Sequence, residues 1–294
     1  ISELIVYGDQ HSEHIFEYFC EKNMLAVFTN MLNGNPSPEV KRQIIQTVSI
    51  LVQNVSNDTY LYYLLSNNHI NELIRHPFDF QDEDILALYV SFVKMLSLKL
   101  NSNTVQFFFN EATGSFPLFT EAIKLIDHEE GMVRTHIRNL LLLVYRVDDE
   151  GIRRFVQQPI HRPIFTKLSW SIRNQCSHLS RSLSNGKVAT ADQTKQYLID
   201  IIDELYFFQD ILDTGLESIC KSLSDALCSH FIVPILCSSV HRTRLNSGSF
   251  DVVSSDSRGG PSGPHDIGSL LALFLLSQCL GIFREDSLIL TISR

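Results

Sequence analysis

Residues 39–52 read Glu39-Val-Lys-Arg-Gln-Ile-Ile-Gln-Thr-Val-Ser-Ile-Leu-Val52. Apolar side chains recur in this stretch at steps of four, four and three residues, at Val40, Ile44, Val48 and Leu51. On an α-helix, steps of three and four place side chains on one face. The stretch therefore predicts an amphipathic helix that must bury one apolar stripe against a neighbour.

The same pattern occurs twice more along the chain, in the stretches that begin at Asp84 and Met132. Its apolar positions are Ile85, Tyr89, Val93 and Leu96 in the second stretch, and Val133, Ile137, Leu141 and Val144 in the third. The first positions of successive stretches lie 45 and 48 residues apart. That spacing is close to the roughly 40–47 residues of armadillo and HEAT units.

A helical repeat of this length predicts the fold class. We expect an all-α chain that forms an armadillo/HEAT-like right-handed α-solenoid, in which each unit buries its apolar face against the next. We expect residues 1–294 to form a single superhelical domain, in which further helices follow the third repeat over 148–294 and the repeat blurs past Cys176. A stacked array has a long exterior surface, which favours binding over catalysis.

Two stretches interrupt the expected helices. Residues 177–191 are small and polar with weak periodicity, and residues 241–266 are rich in Ser, Gly and Arg. We interpret both as mobile loops. Between and after them, residues 193–212 and 267–283 have strongly apolar helical patterns.

Composition limits the compartment and the membrane topology. The chain has six cysteines without a Cys-x-x-Cys pair, a pattern typical of free thiols in a reducing cytoplasm. The longest apolar stretch, 268–283, is shorter than the roughly 20 residues of a membrane span, so we interpret it as a core helix. No signal peptide is visible in the sequence.

The sequence contains no convincing catalytic, cofactor or metal motif. Residues 185–187 lack the flanking residues of a phosphate loop, and residues 259–263 have the wrong spacing for a serine-hydrolase elbow. Cys176 with His178, and Cys228 with His230, are two residues apart, which on a helix points them to different faces. We therefore expect a non-enzymatic protein without catalytic residues, cofactor or metal.

Charge is distributed unevenly along the chain. Residues 134–187 contain ten basic and three acidic residues, whereas the whole chain has a net charge of −9. Such a segment is typical of an ordinary solvated helix face, but it can also attract an acidic partner or an anionic membrane surface. We take Arg134, Arg138, Arg153 and Arg154 as candidate partner-binding residues. The acidic pI of about 5.6 argues against nucleic acid as a partner.

Aromatic residues give the other candidates. Residues 107–109 are three consecutive phenylalanines, and a fourth follows at Phe116. Burial in the core is one interpretation. In the other, Phe108 and Phe116 are exposed rings that anchor a partner.

Several stretches resemble the FPL-domain family. They are Leu61-Tyr-Tyr-Leu-Leu-Ser-Asn-Asn68, Phe92-Val-Lys-Met-Leu-Ser-Leu-Lys-Leu-Asn101, Phe116-Pro-Leu-Phe-Thr-Glu-Ala-Ile-Lys124 and Asp127-His-Glu-Glu-Gly-Met-Val-Arg134. The resemblance is strong over residues 4–147. Phe119 stands where the family commonly has tyrosine.

The resemblance implies a cytoplasmic protein at the periphery of Golgi or endosomal membranes. It implies roles in endosome maturation, autophagy and vacuolar or lysosomal delivery, with a Rab-family small GTPase or a HOPS-type tethering complex as partner. It carries no catalytic residues over to this chain. A guanine-nucleotide exchange factor and a ubiquitin-ligase component remain the enzyme-like alternatives, although the chain has no RING-like Cys/His spacing.

Overall fold

The computed structural model describes residues 3, 5–7, 13–184, 191–241 and 267–293, and most of these residues are helical. Within these ranges there is no β-strand, and the one bridge joins Asn110 to Ser115. The prediction of an all-α chain is therefore confirmed. The chain divides into two compact units, Ile1–Val156 (the N-terminal unit) and Gln157–Arg294 (the C-terminal unit).

Between residues 13 and 156 the N-terminal unit contains ten α-helices. They are α1 (Glu13–Glu21), α2 (Met24–Asn33), α3 (Pro38–Asn54), α4 (Asp58–Leu65), α5 (His69–Arg75), α6 (Glu83–Leu98), α7 (Val105–Phe108), α8 (Pro117–Ala122), α9 (Gly131–Arg146) and α10 (Glu150–Val156). The longest three, α3, α6 and α9, are the helices of the repeated pattern. Their first residues, Pro38, Glu83 and Gly131, each lie one residue before the predicted stretches that begin at Glu39, Asp84 and Met132.

The three repeat helices pack against one another in chain order, α3 against α6 and α6 against α9. Of the twelve predicted apolar positions, eleven are buried, and Val40, in the first turn of α3, is half-buried. Asp82 begins α6, because its carboxylate accepts hydrogen bonds from the backbone N–H groups of Asp84 and Ile85. Arg42 on α3 bridges to Asp82 at 3.2 Å, which ties the two helices at one end.

The end of the N-terminal unit is held by a cluster of phenylalanines. The rings of Phe116 and Phe119 stack at 6.0 Å, and Phe155 on α10 meets both edge-on. Phe109 joins the cluster, 5.3 Å from Phe155. Helices α7, α8 and α10 are short, so these rings supply the apolar burial that such helices need.

Five α-helices of the C-terminal unit have both ends within the described residues. They are α11 (Pro163–Ser184), α12 (Ala191–Leu212), α13 (Glu217–Leu227), α14 (Ser269–Ile282) and α15 (Asp286–Ser293). A π-helical segment, Cys228–Cys237, continues α13 and contains Pro234. Proline lacks the N–H that an α-helix requires, and the wider turn accommodates it. Helix α11 packs against α12, α13 and the π-helical segment.

The prediction of a loop over residues 177–191 is partly wrong. Residues 177–184 belong to α11, and Ser177, Leu179 and Ser180 are buried on its inner side. Serine hydroxyls return their hydrogen bonds to the helix carbonyl four residues earlier, as Ser177 does to Arg173 at 3.0 Å, so a serine-rich stretch can stay helical. The remainder of that loop, 185–190, and residues 242–266 of the second lie outside the described residues.

Two apolar helices of the C-terminal unit bear on membrane insertion. By length and composition alone, the helix Glu217–His241 could cross a membrane, but half of its apolar window is buried against the protein. Helix α14 has a buried face with Ala272, Leu275 and Cys279, as expected of a core helix. Its other face is exposed to solvent, which the sequence did not predict: Leu270 is 83% exposed and Leu273 is 51% exposed.

Candidate functional site

A polar cleft of about 380 Å³ lies in the N-terminal unit, between the start of α5 and the chain from α7 to α8. We call it the asparagine cleft because four asparagines line it. Its walls are Leu65, Ser66, Asn67, Asn68, Asn71, Arg75, Gln106, Phe107, Phe108, Phe109, Asn110, Thr113, Ser115 and Pro117.

The first wall owes its shape to two consecutive residues in the left-handed backbone region. Asn67 has a φ of 56° and Asn68 a φ of 63°. Asparagine is among the few residues other than glycine that adopt this conformation at low cost. The pair turns the chain sharply between α4 and α5, and both asparagines are exposed at the mouth of the cleft.

Asn71 joins the two walls. Its Nδ2 donates to the backbone carbonyl of Phe107 at 2.7 Å and to Oδ1 of Asn68 at 3.1 Å. The side chain is only 6% exposed, so these hydrogen bonds satisfy a buried donor group. The bond to Phe107 holds α5 against α7.

The second wall is a tight turn closed by two backbone hydrogen bonds. Asn110 N donates to Ser115 O at 2.9 Å, and Ser115 N donates to Asn110 O at 3.1 Å. Gly114 makes the turn possible with a φ of 61°. The guanidinium of Arg75 donates across the cleft to the hydroxyl of Ser115.

The lining chemistry suits recognition. The described lining residues include no Asp, Glu, His or Cys, the side chains that most often serve as general acid or base. The exposed side chains of Asn67, Asn68 and Asn110 each carry an amide N–H donor beside a carbonyl acceptor, which matches the N–H and C=O of a peptide group. Arg75 adds a planar cationic donor suited to a carboxylate.

Two of the four predicted arginines sit on α9 and are largely committed to the protein itself. Arg138 is buried, at 9% exposure, so it cannot form part of a surface as predicted. Arg134 is half-buried and donates from Nη1 to the carbonyls of His128 and Glu129, at 2.8 and 2.7 Å. These bonds fix the turn before α9.

The other two arginines, on α10, are nearer to the prediction. Arg154 is exposed and Arg153 partly so, but each is ion-paired at 2.8 Å, Arg153 with Asp148 and Arg154 with Glu111. Their positive charge is therefore partly neutralised locally. The predicted four-residue basic face is not present as one surface.

The predicted aromatic candidates are buried. Phe108 and Phe116 are each 1% exposed, and both serve the core of the N-terminal unit. The interpretation of these rings as exposed anchors is therefore wrong, because Phe108 shares the buried side of α7 with Val105, three residues earlier, and Phe116 stacks on Phe119. Phe107, half-buried, is the one of the three whose backbone carbonyl braces the cleft.

The cysteines and other potential ligands are dispersed. The six cysteines are all unpaired, and two of them, Cys176 and Cys279, are buried. Burial, with a smaller contribution from the Glu17 carboxylate, raises the pKa of the Cys20 thiol to about 11. No cluster of three or more His, Cys, Asp or Glu side chains able to hold a metal ion occurs in the ranges that the structure describes.

Two signals for the cleft are visible in the sequence. The Asn67-Asn68 pair directly before a helix is a turn signal, and both it and Pro117 lie in stretches that carry the family resemblance. What periodicity could not reveal is that these stretches, about 50 residues apart in the chain, converge on one cavity.

Comparison with known proteins supports the resemblance. The FPL family model, described as an uncharacterised conserved protein, matches residues 1–145. A CLEC16A homolog from Drosophila melanogaster is 39% identical over 238 residues, which is 80% of this chain and 22% of that protein. Human CLEC16A gives the same identity and the same share of this chain, with 23% of its own length covered.

A plant relative extends the comparison. TRANSPARENT TESTA 9 from Arabidopsis thaliana is 36% identical over 262 residues, which is 87% of this chain and 31% of that protein. The chain therefore spans less than a third of the length of these curated relatives.

Proposed function

The chain belongs to the FPL-domain family, and on that premise we propose that it is a non-enzymatic scaffold of membrane trafficking in the Golgi and endosome system. It acts in endosome maturation, autophagy and vacuolar or lysosomal delivery. It works from the cytoplasmic face, peripherally attached to Golgi or endosomal membranes, by binding a Rab-family small GTPase or a HOPS-type tethering complex.

The observation that carries this proposal is the chemistry of the asparagine cleft. Its lining combines peptide-like amides with one arginine and no described residue that could transfer a proton. It accepts an extended polar segment of the partner, whose backbone pairs with the amides of Asn67, Asn68 and Asn110. A carboxylate of the partner pairs with Arg75.

The repeat helices support a second part of the proposal, that the whole chain is an armadillo-like solenoid. Helices α3, α6 and α9 pack in chain order with their apolar stripes buried. Small-angle X-ray scattering tests it: a compact body of this length has a radius of gyration of about 19 Å. A solenoid gives a clearly larger value, and a value near 19 Å would reject the elongated shape.

Partner binding is tested with purified Rab GTPases loaded with GTP or GDP. We expect the chain to retain at least one of them in a nucleotide-dependent pull-down, and to leave its rate of nucleotide release unchanged. Faster release would instead favour a guanine-nucleotide exchange factor. Self-association in light scattering without any GTPase binding would favour a purely structural adaptor.

Membrane attachment is tested at α10. Reversing both exposed cations, Arg153→Glu with Arg154→Glu, removes the charge that would face an anionic bilayer. We expect weaker sedimentation with phosphatidylserine vesicles and an unchanged circular dichroism spectrum, since surface ion pairs contribute only about 0–1 kcal/mol. Unchanged vesicle binding would exclude this face as the contact.

A further inference from the structure

A second cavity lies within the C-terminal unit, between the first half of α11 and the junction of α13 with the π-helical segment. Its volume is about 740 Å³. A narrower cleft of about 330 Å³ continues it, because the two share Arg162, Ser222 and Asp225. We call the combined feature the Trp170 groove. Its volume is in the range of ligand-binding clefts, about 300–1,000 Å³.

Trp170 is the only tryptophan in the chain, and it lines this groove. The side chain is 40% exposed, although an indole of this size normally buries most of its surface. Arg173 lies over the ring with its guanidinium carbon 4.4 Å from the centroid, and the His230 ring lies 5.9 Å away. These contacts hold the indole in place before any ligand arrives.

The charges around the indole are mainly positive. Arg162 and Lys167 line the wide part of the groove together with a single carboxylate, Asp225, and Arg173 adds a third cation at the ring. Among the described residues Arg162 has no ion pair, and its side chain is exposed. Glu217 and Lys221 balance each other in the narrow part. The wide part therefore attracts a negative group close to an apolar shelf.

We propose that the Trp170 groove is a docking site for an acidic linear peptide segment of a partner protein. A large apolar side chain of the peptide packs against Trp170 and Pro163. An acidic side chain next to it pairs with Arg162, and the peptide continues toward Ser222. The pairing of a fixed aromatic anchor with an exposed cationic rim is the usual composition of an energetic centre in an interface.

This site is separate from the asparagine cleft and does not depend on the proposed function. The asparagine cleft has one cation and no exposed large aromatic ring, whereas the Trp170 groove has three cations around one. The two sites should therefore bind peptides of different sequence. That difference makes the inference testable without a known partner.

The probe is a phage-displayed library of random linear peptides, selected on the full chain. Selected peptides should be enriched in Asp and Glu next to one large apolar residue. Because Trp170 is the only tryptophan, binding of a synthetic copy should shift its fluorescence directly. Trp170→Ala should abolish peptide binding, and Arg162→Glu should weaken it at least tenfold.

The matched control is Lys195→Glu, an exposed cation on α12 away from the groove. It changes the net charge by the same amount as Arg162→Glu, so a general charge effect would weaken both variants equally. We expect full binding by Lys195→Glu and unchanged circular dichroism spectra for all variants. If Trp170→Ala does not fold, peptide binding by Arg162→Glu, on the exposed rim, still tests the proposal.

Three results would overturn the proposal. One is the recovery of no peptide, or of peptides without acidic enrichment. Another is equal binding by wild type and Arg162→Glu. The third is a shift of Trp170 emission on phosphatidylserine vesicles and none on the peptides, which would assign the groove to a lipid surface.

Discussion

The side-chain Nδ2 of Asn71 lies 2.7 Å from the backbone carbonyl oxygen of Phe107, to which it donates a buried hydrogen bond. This bond joins α5 to α7, and so joins the two walls of the asparagine cleft. Both walls adjoin stretches that resemble the FPL family, Leu61–Asn68 on one side and Phe116–Lys124 on the other. Asn71 and Arg75, which donates to Ser115, are thus the two α5 side chains that bridge the walls.

Asn71→Ala should lower the stability of the N-terminal unit. It removes two hydrogen bonds and leaves the Phe107 carbonyl without this donor, for a loss of about 1–3 kcal/mol. Asn71→Asp should lower the free energy of unfolding further, because a carboxylate oxygen replaces the amide donor and faces the carbonyl oxygen of Phe107. Urea unfolding followed by circular dichroism measures both.

Asn139→Ala is the control for the asparagine series. Asn139 is exposed on α9, and its replacement should change the free energy of unfolding by less than about 0.5 kcal/mol. Equal stability of Asn71→Asp and wild type would show that Asn71 does not hold the walls together.

The repeat helices predict a contrast between two leucines on α6. Leu96 is 0% exposed and Leu98 is 66% exposed. Leu96→Ala should destabilise by about 2–5 kcal/mol, because it leaves a cavity between packed helices. Leu98→Ala should lower the free energy of unfolding by less than about 0.5 kcal/mol. If chemical denaturation gave the two variants similar losses, α6 would not present the face described here.

The cysteines predict an unusual pH dependence of alkylation. Burial, with help from Glu17, raises the pKa of Cys20 to about 11, and burial together with Cys237 raises that of Cys279 to about 12. Since the thiolate is the reactive form, a pKa of 11 leaves roughly one thiol in a thousand ionised at pH 8. The alkylation rate of Cys20 should keep rising about tenfold per pH unit up to pH 10.

Iodoacetamide labelling followed by peptide mass spectrometry resolves each cysteine. In guanidinium chloride all six should react at the rate of a free thiol, and this provides the reference. A Cys20 rate that levels off below pH 9 would contradict the raised pKa.

The repeat helices could be predicted from the sequence because one physical signal dominates them. A stripe of apolar residues at steps of three and four determines both the helix and its buried face, as at Ile137 and Leu141. Helix α14 lacks that signal: apolar residues surround it almost completely, so the sequence could not show that Leu270 would be exposed. The polar serines of residues 177–184 caused the opposite error, because they suggested a loop where the chain is helical.

The candidate site was only partly predictable for a related reason. Charge counting along the chain finds basic segments, but not the burial of Arg138 or the pairing of Arg154 with Glu111, 43 residues away. The asparagine cleft arises from tertiary contacts between short, weakly periodic segments. Family resemblance marked those segments, whereas local propensity did not.

The most direct test of the central claim, recognition through the asparagine cleft, is a comparison of Arg75→Ala with Lys124→Ala in quantitative binding to a captured Rab GTPase. Both residues are exposed cations of the N-terminal unit, and only Arg75 lines the cleft. Loss of a charge-assisted hydrogen bond of about 1.5–3 kcal/mol predicts at least tenfold weaker binding for Arg75→Ala and unchanged binding for Lys124→Ala. Equal affinities of the two variants would contradict the account.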